Sequence, residues 1–502
     1  MQNASDLLCS LHRKGVKVWV ENERLRFRAP RDTLLPEELA RLGALKAEII
    51  ELLDQMEFSK DAPLKRRADG CLVPLTAHQL GTWNHFIEEA AGLSVRWSSF
   101  AMRVLGPLDV NLLKRSIDAA VWRHESIRTK IVVVEGIPRQ QIDVACEYEW
   151  DVIDISDVSP KTIEGELKQL AEDFVRVKID ISSGQLFAVR VFRLSNCEHV
   201  LILALDHIIT DGFSNGVLAK DIWALYRQGE QGLPLLLPEL PLQFADYAVW
   251  QQRAYGAWLQ NHEAYWRGRL TGSPQRIQIP VRDDSWQAKD PVGAELEITF
   301  GNALSAKLRE IARRERTLLA MVVLTVYAAT MSRWCNERNL VIAFISNGRN
   351  RSELQGMVGL VADPLFLRLE ITKEDNFIDL LRRLIVEFRS AYDHPTFCWV
   401  QCCPTDVRFN WLPDHGAKWV KDHYLHGSDN RLVVLPFSLP RPAPLKLIPA
   451  FYNSDTGIGA NVMYRPDLFA LSTVERFGGD LRLFAEEFSR RPLCRVESVF
   501  GR

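Results

Sequence analysis

Residues 201–214, LILALDHIITDGFS, begin as an uninterrupted apolar run, and all of their polar side chains follow in the second part of the stretch. An apolar run of this kind is typical of a strand that is buried on both faces of a sheet. The Asp211-Gly212 pair indicates a turn, and the residues after it predict a helix. The stretch therefore predicts a buried strand that ends beside His207, in a loop that leads into a helix.

His207 is the side chain in this stretch that is best suited to proton transfer. An imidazole changes its charge near neutral pH, and a rigid strand before it would fix its orientation. Asp211 lies four residues later, where it can pair with a cation or orient the histidine. Both a structural histidine and a proton-transferring histidine fit these residues alone, so the rest of the chain must decide between them.

The composition is that of a globular chain without a strong overall charge. Its 502 residues include 62 Lys and Arg and 64 Asp and Glu, and the net charge of −2 favours neither nucleic acid nor an anionic bilayer as a partner. The sequence contains no signal segment and no apolar run long enough to span a membrane, so we expect a cytoplasmic location without membrane contact. Nine cysteines without metal-ligand spacing predict reduced thiols and no metal site.

The N-terminal part has the pattern of a small separate unit. Residues 4–14 have helical periodicity, residues 16–28 alternate as two strands around a polar turn, and Pro36 begins a second amphipathic helix that extends to residue 56. The hairpin is basic, and strand alternation collects several of its cations on one face. The residues that we assign to this basic surface are Lys17, Arg24, Arg26 and Arg28. Such a surface either stays solvated along an edge strand or binds an acidic peptide by strand addition.

Two stretches of this unit favour the peptide-binding interpretation. LHRKGVKVWVENERLRFRAP (11–30) and LPEELARLGALKAEIIELL (35–53) resemble the TubC-type N-terminal docking domain of nonribosomal peptide synthetases. The resemblance covers residues 1–57 and implies that this domain recognises the C-terminal tail of an upstream megasynthase subunit.

The remainder of the chain predicts a linker and a larger α/β unit. Residues 58–73 lose periodicity, and strands and helices then alternate until a stretch rich in Gly, Pro and charge at residues 271–300. The pattern restarts after that stretch, which indicates two lobes, 74–270 and 271–502. In the second lobe, residues 302–334 predict one long helix.

Four motifs of the larger unit resemble one family. ALDHIITDGFS (204–214) resembles the HHxxxDG motif of nonribosomal peptide synthetase condensation domains, which belong to the chloramphenicol acetyltransferase-like superfamily. LTAHQLGTWNHF (75–86), RHESIRTKI (123–131) and LQFADYAVWQQ (242–252) are similar to further motifs of that family. The resemblance implies an α/β fold in which an α-β-β-α docking domain precedes two acetyltransferase-like lobes. These lobes would form a V-shaped pseudo-dimer with a central tunnel.

The resemblance also implies roles for individual residues. His207 corresponds to the second histidine of the motif, which takes a proton from the attacking amine or positions that amine and stabilises the intermediate. Asp211 and Gly212 correspond to the closing Asp-Gly pair, usually a structural pair. Arg349, in the SNGRN stretch of the second lobe, is the expected ion-pair partner of Asp211, and Arg123 is expected to support the site's framework.

The implied reaction is amide-bond formation. An acyl or peptidyl thioester would be transferred to an amine, with both substrates carried on the phosphopantetheine arms of a donor and an acceptor carrier protein, and no cofactor would be bound by the chain itself. The identity of the two substrates, their stereochemistry and an amide or ester product stay open. A freestanding enzyme and a piece of a larger synthetase are both compatible with the sequence.

One departure from the motif leaves the chemistry open. Asp206 replaces the first histidine, and Asp206, Asp211 and Ser214 together also fit the DxxxxDxxS motif of heterocyclization domains, which condense and then cyclise Cys, Ser or Thr. An epimerization-like relative and a catalytically degenerate docking scaffold are compatible with the same residues. The retained His207 and the RHESIRT stretch favour condensation.

Overall fold

The computed structural model describes residues 17–21, 24–28, 36–46, 64–67, 70, 72–89, 93–95, 98–144, 147–274, 279, 293–394, 405–412, 432–437, 446–454 and 457–500. The strands in these ranges are β1 (Lys17–Glu21), β2 (Arg24–Arg28), β3 (Leu72–Pro74), β4 (Leu93–Val95), β5 (Phe100–Leu105), β6 (Thr129–Val134), β7 (Ile137–Ile142), β8 (Glu149–Asp154), β9 (Lys178–Asp180), β10 (Phe187–Ser195), β11 (Glu198–Leu205), β12 (Ala294–Thr299), β13 (Asn339–Ser346), β14 (Asp363–Glu370), β15 (Arg408–Leu412), β16 (Val433–Phe437), β17 (Leu447–Ser454) and β18 (Gly457–Tyr464). The helices are α1 (Pro36–Ala44), α2 (Ala77–Glu89), α3 (Val110–Arg123), α4 (Ile163–Val175), α5 (Gly212–Glu230), α6 (Phe244–Leu270), α7 (Gly301–Arg314), α8 (Leu319–Cys335), α9 (Phe377–Tyr392), α10 (Leu471–Arg490) and α11 (Glu497–Phe500).

The N-terminal hairpin has the predicted antiparallel pairing. Lys17 pairs with Arg28 and Glu21 with Arg24, with Arg26 opposite Trp19. Because residues directly opposite each other share a face and faces alternate along a strand, the four basic residues of the predicted surface occupy the same face of the hairpin. Helix α1 begins at Pro36 as expected. The helix that we predicted at residues 4–14 lies outside the described residues.

The first large sheet has five strands in the order β16-β5-β11-β10-β8. Its strand β11 comes from the apolar run in which the sequence predicted burial on both faces, and that prediction is confirmed. Leu201 and Leu203 pack in the same core as helices α3 and α5, whereas Val200 and Ile202 pack in a second core with α4. The layers are therefore helices, sheet and helix, with β11 at the centre.

The second large sheet has six strands in the order β12-β18-β17-β15-β13-β14. Strand β13 pairs antiparallel with β14 and parallel with β15. Helices α7 to α10 pack with these strands in one apolar core, which includes Leu308, Val323, Leu381 and Phe484. The chain therefore contains two mixed sheets, as expected for two α/β lobes.

Two elements cross between the lobes. Strand β16 lies in the second half of the chain, yet it pairs antiparallel with β5 of the first sheet. Without β16, β5 would be an edge strand with unpaired backbone groups, and β16 satisfies them. Helix α6 begins beside first-lobe residues, and its Trp266 is buried in the second core. The predicted boundary at residues 270 and 271 therefore does not separate the two sheets, because residues 432–437 belong to the first one.

The predicted linker at residues 58–73 is ordered in part. Leu72 begins β3, which pairs with β7 in a small sheet of order β3-β7-β6, and Leu64 packs with Phe244 and Met357. The side chain of Arg67 donates hydrogen bonds to Asp246 and to Glu125. The sequence did not predict these contacts, because the partners of Arg67 lie 58 and 179 residues away.

The predicted helix at residues 302–334 is broken. Helix α7 ends at Arg314 and α8 begins at Leu319, with a bend of 112° between them, and Arg316 has a left-handed φ of 50°. The break lets α8 enter the core, where Ala320–Ser332 are buried on all sides, while the charged face of α7 stays at the surface. Among the described helices, no single one is long and apolar enough to cross a membrane, and only the bent pair of α7 and α8 meets that test by length and composition.

Candidate active site

His207 is separated from the end of β11 by one residue and lies in a single 3-10 turn formed by His207–Ile209. Its Nδ1 atom is 2.7 Å from the carbonyl oxygen of Thr210. A carbonyl oxygen can only accept, so Nδ1 carries the hydrogen and a neutral ring presents Nε2 as a lone-pair acceptor. Gln79 supports the turn, since its Nε2 donates to the carbonyl oxygen of Ile208 at 2.8 Å. The arrangement holds one imidazole in one tautomer with its acceptor atom available.

Asp206 is fully buried and stabilises the backbone of the same turn. Its carboxylate accepts a hydrogen bond from the amide of Ile208 at 2.8 Å, and its own amide donates to Leu186 at 2.9 Å. This is the hydrogen bonding of a residue that caps the start of a short helix. The side chain of Asp206, which replaces the first histidine of the motif, is therefore hydrogen bonded to the backbone of its own loop.

Asp211 connects the two lobes. It caps the N-terminus of α5 by accepting from the amide of Ser214 at 2.8 Å. Its Oδ2 atom also accepts from Nη1 of Arg349 at 2.9 Å and from the amides of Val361 and Ala362 at 3.0 and 2.9 Å. The side chains of Asp211 and Arg349 are 1% and 0% exposed, so this ion pair is shielded from water. The sequence anticipated the pairing, and the structure contains it.

The charge on Asp211 is maintained by these partners. Burial alone would raise the pKa of its carboxyl, but the charge and hydrogen bonds of Arg349 and the bonds from the Ser214 and Ala362 amides hold the pKa below its ordinary value. Arg349 also lies over the ring of Phe213, 4.5 Å from the centroid. Breaking a buried ion pair by removing one partner costs about 3–5 kcal/mol, so the pair of Asp211 and Arg349 stabilises the contact between the two lobes.

Ser214 is fully engaged in the same junction. Its Oγ accepts from Nη2 of Arg349 at 2.7 Å and from the amide of Gly359 at 3.0 Å, and it donates to the carbonyl oxygen of Gly359 at 2.8 Å. A hydroxyl has one hydrogen and two lone pairs, and all three are used. The serine of the DxxxxDxxS pattern therefore binds the second lobe.

Two glycines allow close packing at the junction, one within the second lobe and one against helix α6. Gly348 has a φ of +65°, and a Cβ there would overlap the carbonyl oxygen of Val361. A Cβ at Gly359 would overlap the ring of Phe244. In contrast, a Cβ at Gly212 would meet nothing within 4 Å, so neither packing nor backbone conformation explains that glycine. Sequence reasoning assigned Gly212 to the site and missed Gly348 and Gly359, although Gly348 directly precedes Arg349 in the SNGRN stretch.

Arg123 is connected to the site through helix α5. Its Nε donates to Asp221 at 2.8 Å, and His124 lies 3.0 Å from the same carboxylate oxygen. Burial lowers the pKa of His124, while the two neighbours hold the pKa of Asp221 below its ordinary value against the effect of burial. Because Asp221 belongs to α5, these bonds anchor the helix whose first turn carries Asp211 and Ser214.

The structure brings a second histidine to His207. The ring of His78, on α2, has its centroid 6.3 Å from that of His207 at an interplanar angle of 72°. Sequence reasoning missed His78, although it lies within the LTAHQ stretch that resembles the first family motif. Within the described ranges, no group of three or more His, Cys, Asp or Glu side chains is arranged to hold a metal ion.

Comparison with known families decides the assignment. A family model described as "Condensation domain" matches residues 72–397, and one described as "TubC N-terminal docking domain" matches residues 5–55. The chain belongs to the condensation-domain family. Amide-bond formation is the general function of condensation domains, and here a TubC-type docking domain precedes the condensation domain.

The relatives of this condensation domain include subunits of peptide synthases. It is 30% identical over 353 residues to a linear gramicidin synthase subunit of Brevibacillus parabrevis, an alignment that covers 69% of this chain and 7% of that protein. It is 26% identical over 488 residues to surfactin synthase subunit 1 of Bacillus subtilis, covering 94% of this chain and 12% of the relative. The chain thus spans a small part of the length of these proteins.

Solved structures show that the condensation-domain fold extends over most of the chain. The X-domain from teicoplanin biosynthesis aligns with a TM-score of 0.74 at 22% identity, covering 87% of this chain and 99% of the X-domain. The first condensation domain of the calcium-dependent antibiotic synthetase, in complex with a substrate analogue, aligns with a TM-score of 0.69 at 19% identity, covering 86% and 99% of the two chains. These similarities confirm the predicted α/β fold.

Proposed function

We propose that this condensation domain joins a carrier-bound acyl or peptidyl thioester to an amine, usually the amine of a carrier-bound aminoacyl group. The observation that carries the proposal is the position of His207. Its ring is held in one tautomer by Thr210 and lies next to the buried pair of Asp211 and Arg349 that connects the lobes. A fixed acceptor nitrogen at the junction of two lobes is suited to a reaction between two substrates that arrive separately.

In the proposed step, the amine nitrogen attacks the thioester carbonyl carbon and forms the new C–N bond. A proton passes from that nitrogen to Nε2 of His207, the C–S bond breaks, and the proton is returned to the departing thiolate. Both thioesters would be carried on phosphopantetheine arms that meet in a tunnel between the lobes, so that proximity supplies much of the acceleration. The chain would contribute no bound cofactor.

The direct test is product formation from acyl-loaded and aminoacyl-loaded carrier proteins. His207→Ala should lower the rate of amide formation by at least about 100-fold, because it removes the acceptor, while folding is preserved. The exposed Lys161→Glu serves as the matched surface control and should retain the wild-type rate. An equal rate for His207→Ala and wild type would refute the assigned role. A small loss that is independent of pH would indicate that His207 positions the amine instead of accepting its proton.

The same assay tests the heterocyclization alternative. A product lighter than the simple amide by one water would show cyclisation of a Cys, Ser or Thr acceptor. We expect the uncyclised amide, because the hydroxyl of Ser214 and the carboxylate of Asp206 make hydrogen bonds to backbone groups that hold the loop. Absence of any amide product from every substrate pair would favour the degenerate scaffold.

We also propose that the basic surface of the hairpin, Lys17, Arg24, Arg26 and Arg28, binds the acidic C-terminal tail of an upstream subunit in the cytoplasm. A tail peptide should bind wild type with an affinity that falls as salt is added. Arg24→Glu combined with Arg26→Glu should weaken binding by at least about tenfold, whereas Lys161→Glu should not. Unchanged binding by the double variant would exclude this surface.

A further inference from the structure

His78 has the same hydrogen-bonding arrangement as His207. Its Nδ1 atom is 2.6 Å from the carbonyl oxygen of Ala362, so Nδ1 carries the hydrogen and a neutral ring presents Nε2 as an acceptor. Neither the Nε2 atom of His78 nor that of His207 makes a hydrogen bond to any described residue. Two imidazoles thus present unused acceptors at one place in the structure.

The rings of His78 and His207 are direct neighbours. Their centroids are 6.3 Å apart and the rings are nearly perpendicular. A hydrogen bond to nitrogen is about 2.9 Å long, so one nitrogen or water can bridge acceptors up to about 6 Å apart. A primary amine has two N–H hydrogens to donate, which matches two acceptors in number.

The position of His78 is set by the same segment that binds Asp211. The peptide of Ala362 donates its N–H to Asp211 and accepts from His78 through its carbonyl oxygen. Burial, the neighbouring His207 and the charge of Arg408 lower the pKa of His78 to about 4. The hydrogen bond to Ala362 and the charge of Asp211 oppose this shift. His78 is therefore neutral near pH 7, and its Nε2 is available as an acceptor.

We propose that His78 is a second imidazole of the active centre, whose Nε2 accepts a hydrogen bond from the attacking amine while His207 accepts the proton that is transferred. This inference rests on the proposed condensation function. Of the two N–H hydrogens of the amine, one passes to His207 and then to the departing thiolate. The other stays on nitrogen as the amide hydrogen and is released from His78 with the product. The contact with His78 would orient the nitrogen lone pair toward the thioester carbon.

Two substitutions separate this role from a structural one. His78→Asn places an amide N–H near the position of Nδ1, which keeps the bond to Ala362 but removes the acceptor at Nε2. His78→Gln places an amide oxygen near the position of Nε2, which keeps the acceptor but gives up the bond to Ala362. If His78 binds the amine, His78→Asn should lower the rate of amide formation more. If His78 only connects α2 to the second lobe, His78→Gln should lower it more.

The experiment measures amide formation with an acceptor carrier protein loaded in turn with each proteinogenic amino acid and donors loaded with acetyl, octanoyl or dipeptidyl groups. We expect His78→Asn to lower kcat by about tenfold, with the KM for both carriers and the melting temperature unchanged, and His78→Gln to restore most of the rate. A wild-type rate in His78→Asn, or a larger loss in His78→Gln, would overturn the proposal for His78 alone. No amide product from wild type with any pair would overturn the condensation function, and the role of His78 with it.

Discussion

Each lobe contains a buried strand that ends in a polar loop at the lobe junction, and the two loops use their polar groups differently. β11 ends before Asp206 and His207, and β13 ends before the loop that carries Arg349. The guanidinium of Arg349 donates to Asp211, to Ser214 and to two carbonyl oxygens, whereas Nε2 of His207 makes no hydrogen bond within the described part of the chain. One loop locks the junction, and the other presents an acceptor.

This difference shows why burial alone does not identify a reactive group. Asp206, Asp211 and Ser214 are all polar and buried, but each is hydrogen bonded to groups that hold the junction or the loop. Buried polar groups are normally satisfied in this way. A reactant can bind only to groups that the protein leaves unpaired, and the Nε2 atoms of His78 and His207 make no hydrogen bond within the described part of the chain.

The largest effect should come from removing the cation of the lock. Arg349→Met leaves the carboxylate of Asp211 buried without its counter-charge, so we expect the free energy of unfolding to fall by about 4 kcal/mol in a urea titration. Arg313→Met is the matched control, since the pair of Arg313 with Glu310 is 75% and 66% exposed and should be worth less than about 1 kcal/mol. Equal losses of unfolding free energy in the two variants would show that the pair of Arg349 with Asp211 stabilises the fold no more than an exposed ion pair does.

A smaller loss of stability is expected when a side chain at position 348 blocks the close approach of Gly348 to the Val361 carbonyl. Gly348→Ala forces a side chain into a left-handed position and against the Val361 carbonyl, and should lower the free energy of unfolding by about 3 kcal/mol. Gly479→Ala is the control, because Gly479 lies in helix α10 with open space around its Cβ position, and it should raise stability by up to about 1 kcal/mol. A neutral Gly348→Ala would mean that the loop carrying Arg349 can move away from Val361 at little cost.

The smallest of the three effects on the free energy of unfolding is expected from acid, which should act on His78 at a higher pH than on Asp211. The folded-state pKa of His78, about 4, lies below its unfolded value of 6.5, so its contribution to stability is complete above pH 6.5 and is lost as the pH falls toward 4. The pKa of Asp211 is lowered from 3.8, so its contribution persists until the pH falls below that value. Acidification to pH 5 therefore acts on His78 and leaves the pair with Arg349 intact.

The measurement compares unfolding free energies at pH 7 and pH 5. Wild type should lose about 2 kcal/mol more than His78→Asn over this interval. His124, whose pKa is also lowered, is present in both proteins and cancels in the difference. A wild-type loss equal to that of the variant would show that His78 is not held neutral by its surroundings.

Much of the local structure could be predicted from the sequence. The apolar run before Asp206 predicted a doubly buried strand, the alternation around residues 16–28 predicted the hairpin, and the restart of the strand and helix pattern after residues 271–300 predicted two α/β lobes. The pairing of Asp211 with Arg349 was implied by the resemblance to condensation domains. These features depend on residues that are close in sequence or on motifs that resemble a family. The helix over 302–334 failed as a prediction because periodicity does not show that its second part must turn into a core.

The sequence by itself determined the central buried strand, the N-terminal hairpin and which imidazole follows that strand, because those properties depend on neighbours a few positions away. Only the tertiary structure decided that β16 joins the first sheet, that Arg67 pairs with carboxylates of the first lobe and of α6, and that His78 lies beside His207. The physical reason is that these contacts join residues 58 to more than 300 positions apart. Whether such residues meet depends on how whole sheets and helices pack, which a local pattern does not record.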